Sequence, residues 1–95
     1  MRFEWDEAKA RANLAKHGVS FELASRVWDD PLIDVRFDSL VGGEERWVAL
    51  GIVRTTTLLV VIHTYPAAHD ETVVRIVSAR RATSHERRNY EHETL

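Results

Sequence analysis

Five arginines, Arg75, Arg80, Arg81, Arg87 and Arg88, fall between positions 75 and 88, with one acid, Glu86, among them. Guanidinium is always charged, planar and able to grip phosphate through two parallel hydrogen bonds. A cluster of such groups with a few histidines, lysines and carboxylates is an inventory that can cleave RNA. The RNA 2′-hydroxyl is itself the nucleophile. The protein then supplies positioning, a base, an acid, and cations for the charge that grows on the phosphorane oxygens, often the largest catalytic contribution. Arg80 stands at the end of an expected strand, just before an expected helix, where sites are commonly built. His63 sits on a strand and could lie near Arg75 if the register brings them together.

Other chemistries lack their residues. With no cysteine there is no disulfide, thiolate metal site or cysteine nucleophile. The five histidines (His17, His63, His69, His85, His92) show no i,i+4 pair and no HExxH, and His69-Asp70-Glu71 lies in a loop with no further ligand nearby, so no metal is expected. Neither a G-x-S-x-G elbow nor a Gly-rich phosphate loop is present, and no cofactor is expected.

Charge is unevenly placed. Residues 1–45 hold six Lys/Arg against ten Asp/Glu, and residues 46–95 hold seven Arg against five Asp/Glu, within a net charge of −2. A basic stripe on an acidic chain fits a focused anion site better than a surface that coats DNA. The opening Met1-Arg2-Phe3-Glu4-Trp5-Asp6 carries acids and no apolar run, unlike a signal peptide. The longest apolar run, Leu58 to Ile62, is far short of the ~20 residues a membrane helix needs. A cytoplasmic protein without a membrane partner is expected.

One domain of 95 residues must position these groups. Residues 6–17 read as a helix capped by Asp6 and stopped at Gly18. Residues 20–28 read as a second, capped by Ser20 and halted by Asp29-Asp30-Pro31. Strands follow at Leu32 to Asp38, Trp47 to Val53, Leu58 to Tyr65 and Val73 to Ala79, with a turn at Gly42-Gly43. Thr83-Ser84-His85-Glu86 is a capping box that opens a last helix running to about Tyr90. The expected fold is a two-layer α+β domain: helix, helix, a four-stranded antiparallel sheet, helix, with the helices on one sheet face. Trp5, Trp28 and Trp47 are expected in the core, and Tyr90 as a half-buried anchor.

Several blocks together resemble a known family. Phe3-Glu4-Trp5-Asp6, Lys9-Ala10, Asn13, Lys16-His17-Gly18-Val19-Ser20-Phe21 and Ala24 are similar to the start of BrnT-type toxins. The likeness continues through Asp29-Asp30-Pro31, Glu45-Arg46-Trp47 and Gly51. It ends with Arg75-Ile76-Val77-Ser78-Ala79-Arg80-Arg81-Ala82-Thr83, Glu86-Arg87 and Tyr90. His63-Thr64-Tyr65-Pro66 and the loop from Pro66 to Glu71 lie where such a family is expected to vary. The resemblance implies a RelE/ParE-like fold and RNA cleavage that halts translation. It also implies neutralisation by a BrnA-type antitoxin whose own DNA-binding domain represses the shared operon, so that DNA is met only through the antitoxin.

On this reading Arg80, Arg75, Arg46, His17 and Lys16 are the candidate catalytic residues. Lys16 and His17 also have a structural explanation, as cations offsetting a helix dipole; His17 is the best acid or base by intrinsic pKa. Strand alternation puts Arg75 and Arg80 on opposite faces, which would make one of them structural. Arg81, Arg87, Arg88, His63 and Glu86 form a weaker RNA-binding set: the arginines are alternatively solvated charges, and Glu86 is alternatively spent in the capping box. Two other functions fit the same residues, a non-catalytic module for nucleic acid or protein, and a gyrase-inhibiting ParE-like toxin.

Overall fold

The computed structural model describes residues 1–93. Strand β1 (Arg2–Glu4) leads into α1 (Glu7–His17) and α2 (Phe21–Ser25), and a 3-10 turn (Arg26–Asp29) follows α2. Then come β2 (Asp34–Val41), β3 (Glu44–Val53), β4 (Thr57–Thr64) and β5 (Val73–Arg81), and the chain closes with α3 (Ser84–Glu93). The caps read from the sequence are in place. Asp6 accepts the Lys9 amide, Ser20 accepts the Leu23 amide, and Thr83 and Glu86 exchange the two bonds of the capping box.

The sheet is not a four-stranded antiparallel meander. Among the described residues it has five strands in the order β1-β5-β4-β3-β2 and is mixed, because β1 pairs in parallel with β5. Three residues are too few to show alternation, and a parallel pairing is made through nearly the whole intervening chain, so no local pattern announces it. The second helix is also shorter than expected: after Ser25 it tightens into the 3-10 turn. That turn brings Val27 so close over β3 that a Cβ on Gly51 would stand 2.6 Å from Val27 Cγ1. Strand β2 starts two residues later than expected and runs on to Val41, and β3 begins at Glu44. Gly42 and Gly43 both have positive φ, 58° and 82°, as a two-residue hairpin turn requires.

Residues opposite one another in a ladder point to the same side of the sheet. Leu59, Val61 and His63 of β4 share a face with Ala49 of β3 and with Ile76 and Ala79 of β5. This inner face packs with Val19, Phe21, Ala24 and Val27 into the main core. Trp5 and Trp28 pack at its rim, while Trp47 is not in this core and meets Phe37 and the rim residue Tyr65, ring centroids 5.7 and 5.8 Å away.

The outer face is not left to solvent at both ends, and α3 does not lie with the other helices. Arg80 lies opposite Val60 on the outer face and reaches Glu86 of α3. The Tyr90 hydroxyl donates to Asp30 at 2.6 Å, and Arg87 donates to the Thr56 carbonyl at 2.8 Å. These bonds hold α3 over the outer end where Leu58 and Val60 are buried. Tyr90 is thus an anchor, and a buried rather than half-buried one.

Candidate functional site

Beyond Arg75, β5 has no neighbouring strand on this edge among the described residues, because β1 stops at Glu4. Asn13 of α1 fills part of that edge. Its side chain donates to the Ala79 carbonyl at 2.8 Å and accepts the Ala79 amide at 3.1 Å, as a neighbouring strand would. Nearer the chain's start the edge stays open as a notch of about 400 Å³. Glu4, Trp5, Asp6, Lys9, Arg75 and Val77 line it.

A bulge aims Arg75. Ile62 lies opposite Ser78 and His63 opposite Ile76, leaving Val77 as an extra residue in β5. The extra residue cancels the expected alternation, so Arg75, opposite Thr64, and Arg80, opposite Val60, share the outer face. They stand about 13 Å apart along the sheet, four residues on β4, and would meet different phosphates. Arg46 is on the same face: its neighbour Trp47 lies opposite His63, so Arg46 falls beside Thr64. Glu4, Arg75, Thr64 and Arg46 therefore form one row across the sheet.

The three arginines differ in what holds them. Arg80 makes a two-pronged pair with Glu86 at 2.8 and 2.9 Å. That guanidinium, with the Thr83 amide as helper, pulls the Glu86 carboxyl down to about 2, a state of no use as a base at neutral pH. Arg75 meets one oxygen of Glu4 through Nε and Nη2, at 3.2 and 3.0 Å, and its side chain is 53% exposed. Arg46 has no carboxylate partner among the described residues, and its Nε is buried without a hydrogen bond. So is Thr64 Oγ1 beside it.

The remaining sequence-chosen residues are placed elsewhere. Lys16 and His17 end α1, about 12 Å along the helix from Lys9. His63 faces the core, fully buried. Its ring meets Trp28 and Tyr65 edge-on, and Nε2 lies 3.2 Å from the Tyr65 hydroxyl. Burial pushes its pKa down to about 4, leaving a neutral core histidine that the sheet separates from Arg75. Arg81 lies opposite Leu59, on the inner side, and is exposed. Arg87 is held by Thr56 and Glu91, and Arg88 is exposed on α3.

Sequence reasoning did not single out Lys9, Glu4 or Thr64 for the site, and it assigned Trp5 to the core. A signal for Lys9 existed in its place one turn into a capped helix that starts beside β1. The notch itself depends on where β1 ends. Another surface hollow, about 740 Å³, lies between α2 and the β3–β4 loop and is lined by none of the sequence-chosen residues; its Arg26 is paired with Asp29. Among the described residues no group of three or more His, Asp or Glu side chains could hold a metal ion, and no helix is long and apolar enough to cross a membrane.

Residues 5–86 match the family model described as ribonuclease toxin, BrnT, of type II toxin–antitoxin system. The fold is similar to the 1.1 Å crystal structure of the Brucella abortus ribonuclease toxin, BrnT. The TM-score is 0.63 at 25% sequence identity, covering 88% of this chain and 99% of that one. No curated protein matches the sequence.

Proposed function

The chain belongs to the BrnT family of ribonuclease toxins of type II toxin–antitoxin systems, and on that premise we propose that its notch grips an RNA phosphate and breaks the strand there without a metal ion. Arg75 and Lys9 supply positive charge from two different elements, Arg46 extends it along the outer face, and Trp5 offers a ring on which a base can stack. The 2′-oxygen forms a bond to phosphorus as the bond to the 5′-oxygen breaks, leaving a cyclic phosphate and a free 5′-hydroxyl. Glu4 takes the 2′-proton and Lys9 delivers one to the departing oxygen. Arg75, with guanidinium protons left over after Glu4, faces the charge that develops on the phosphorane.

The observation that carries this reading is the meeting of Arg75, Lys9, Glu4 and Trp5 in one hollow. Within the same proposal the fold is RelE-like, the outcome is arrest of translation in the cytoplasm, and a BrnA-type antitoxin neutralises the chain and links it to DNA. Purified protein incubated with total RNA in EDTA tests it: cleavage persists in the chelator and is lost on Arg75→Ala. Cleavage abolished by EDTA removes the metal-free part. Intact RNA with wild-type protein, or inhibited supercoiling without RNA loss, removes the ribonuclease reading.

A further inference from the structure

Strand β2 is the free edge of the sheet, eight residues with β3 on one side and no strand on the other among the described residues. Natural edges are usually blunted by charged side chains, bulges, proline or brevity. This one carries Asp34, Arg36 and Asp38 and a bulge at Asp38, which deter a like strand, yet it is eight residues long and free of proline. The bulge keeps Leu40 in phase with Val35 and Phe37, since Val35 lies opposite Ala49, Phe37 opposite Trp47 and Leu40 opposite Glu45, all inner-face positions of β3. Val35, Phe37 and Leu40 are nevertheless 36%, 51% and 64% exposed, because α1 and α2 do not reach the edge.

The surroundings are acidic. Residues 29–45 carry Asp29, Asp30, Asp34, Asp38, Glu44 and Glu45 against Arg36 alone, and Arg36 is bonded to Asp34. Beside the apolar stripe a groove opens at Trp47 and Tyr65, bordered by Glu44, Glu45, Asp70 and Glu71. Two rings rimmed by four carboxylates suit a guanidinium or ammonium group.

We propose that the β2 edge and this groove dock an extended segment of the antitoxin. The segment adds as a sixth strand, alternates apolar with Lys or Arg residues, and places one cation against the exposed side of the Trp47–Tyr65 pair, among the groove's carboxylates. A second copy of this chain is the poorer occupant. Antiparallel self-pairing centred on Arg36 sets Asp34 against Asp38 twice over, and like charges directly opposite destabilise a ladder. The proposal rests on the toxin reading for the existence of an antitoxin, and on the edge itself for where that antitoxin binds.

Amide hydrogen exchange of the free chain and of its complex with the cognate antitoxin tests the site without a substitution. Alternate amides within 34–41 gain protection in the complex. Leu40→Lys, at an exposed position outside the RNA notch, weakens the complex at least about tenfold, with free-chain RNA cleavage unchanged. Added salt weakens the wild-type complex as well. Unchanged exchange on β2 with full affinity for Leu40→Lys overturns the proposal, as does failure of the wild-type chain to bind the antitoxin. A free chain that dimerises through β2, broken by Leu40→Lys, gives the edge to a second copy and also overturns it. RNA cleavage by the free wild-type chain reports on the toxin reading separately: its loss with binding intact sinks that reading and leaves the docking site standing.

Discussion

Arg75 and Arg80 each meet a carboxylate, yet the two pairs leave different amounts of guanidinium to spare. Both oxygens of Glu86 are engaged by Arg80, and one of them also accepts the Thr83 amide, so the pair closes the β5–α3 junction. Glu4 engages Arg75 through a single oxygen. Arg75→Ala and Lys9→Ala are each expected to lower RNA cleavage about 100-fold or more with little change in unfolding midpoint. Arg80→Ala is expected instead to cost about 1 kcal/mol of stability, a modest figure because solvent screens a half-exposed pair. Parallel cleavage assays and denaturant melts of the three variants separate the two roles. Two further side chains set the response to acid. His63 falls from 6.5 unfolded to about 4 folded, so its contribution is complete above pH 6.5 and is lost as pH drops toward 4. Glu86 falls from 4.5 to about 2, so its contribution is complete above pH 4.5 and is lost between there and 2. Denaturant melts across this range are expected to show His63→Phe flattening the upper step and Glu86→Gln the lower.

Asn13 shows how a helix can do the work of a strand. Three bonds converge on its amide, from Nδ2 to Val19 and Ala79 and from the Ala79 amide to Oδ1, in a buried setting. Asn13→Ala would strand the Ala79 amide and carbonyl together, and a loss of about 2–3 kcal/mol is expected in equilibrium unfolding. The sequence exposed the elements whose signals are local. Asp6, Ser20 and the Thr83–Glu86 box mark helix starts, and β3 to β5 carry the period and β-branched content of strands. What stayed hidden depends on partners distant in the chain. The three residues of β1 become a strand only through Val73 to Arg75, and the 3-10 turn is set by its packing over Gly51. The bulge at Val77 is defined by β4, so simple alternation separated two arginines that in fact share a face. Of the residues chosen from the sequence, Arg75 lines the notch and Arg46 shares its row of the sheet, whereas Lys16 and His17 stand at the end of α1 and His63 in the core, a separation set by sheet register that no local pattern carries.

Across the whole molecule charge is unevenly spread. The β2 edge and its groove are acidic, while the notch sets Lys9 and Arg75 among Glu4 and Asp6, with Arg46 in the same row of the outer face. A net charge of −2 then gives no general attraction for RNA, and only a short stretch of backbone meets cations. Two or three phosphate contacts on a single strand imply a logarithmic salt slope for KM of about −1.4 to −2 in apparent affinity, with kcat unaffected. Steady-state cleavage of a short RNA over a salt series measures it, and a much steeper slope would mean a far longer footprint. The spare residue in β5 has one more implication. Without Val77 the ladder could still match Ile76 to His63 and Ser78 to Ile62, and both guanidinium groups would keep their side of the sheet. What would vanish is part of the hollow's wall, since Val77 lines it. Hydrogen-bond pairing can do without this amino acid, and the shape of the cavity cannot.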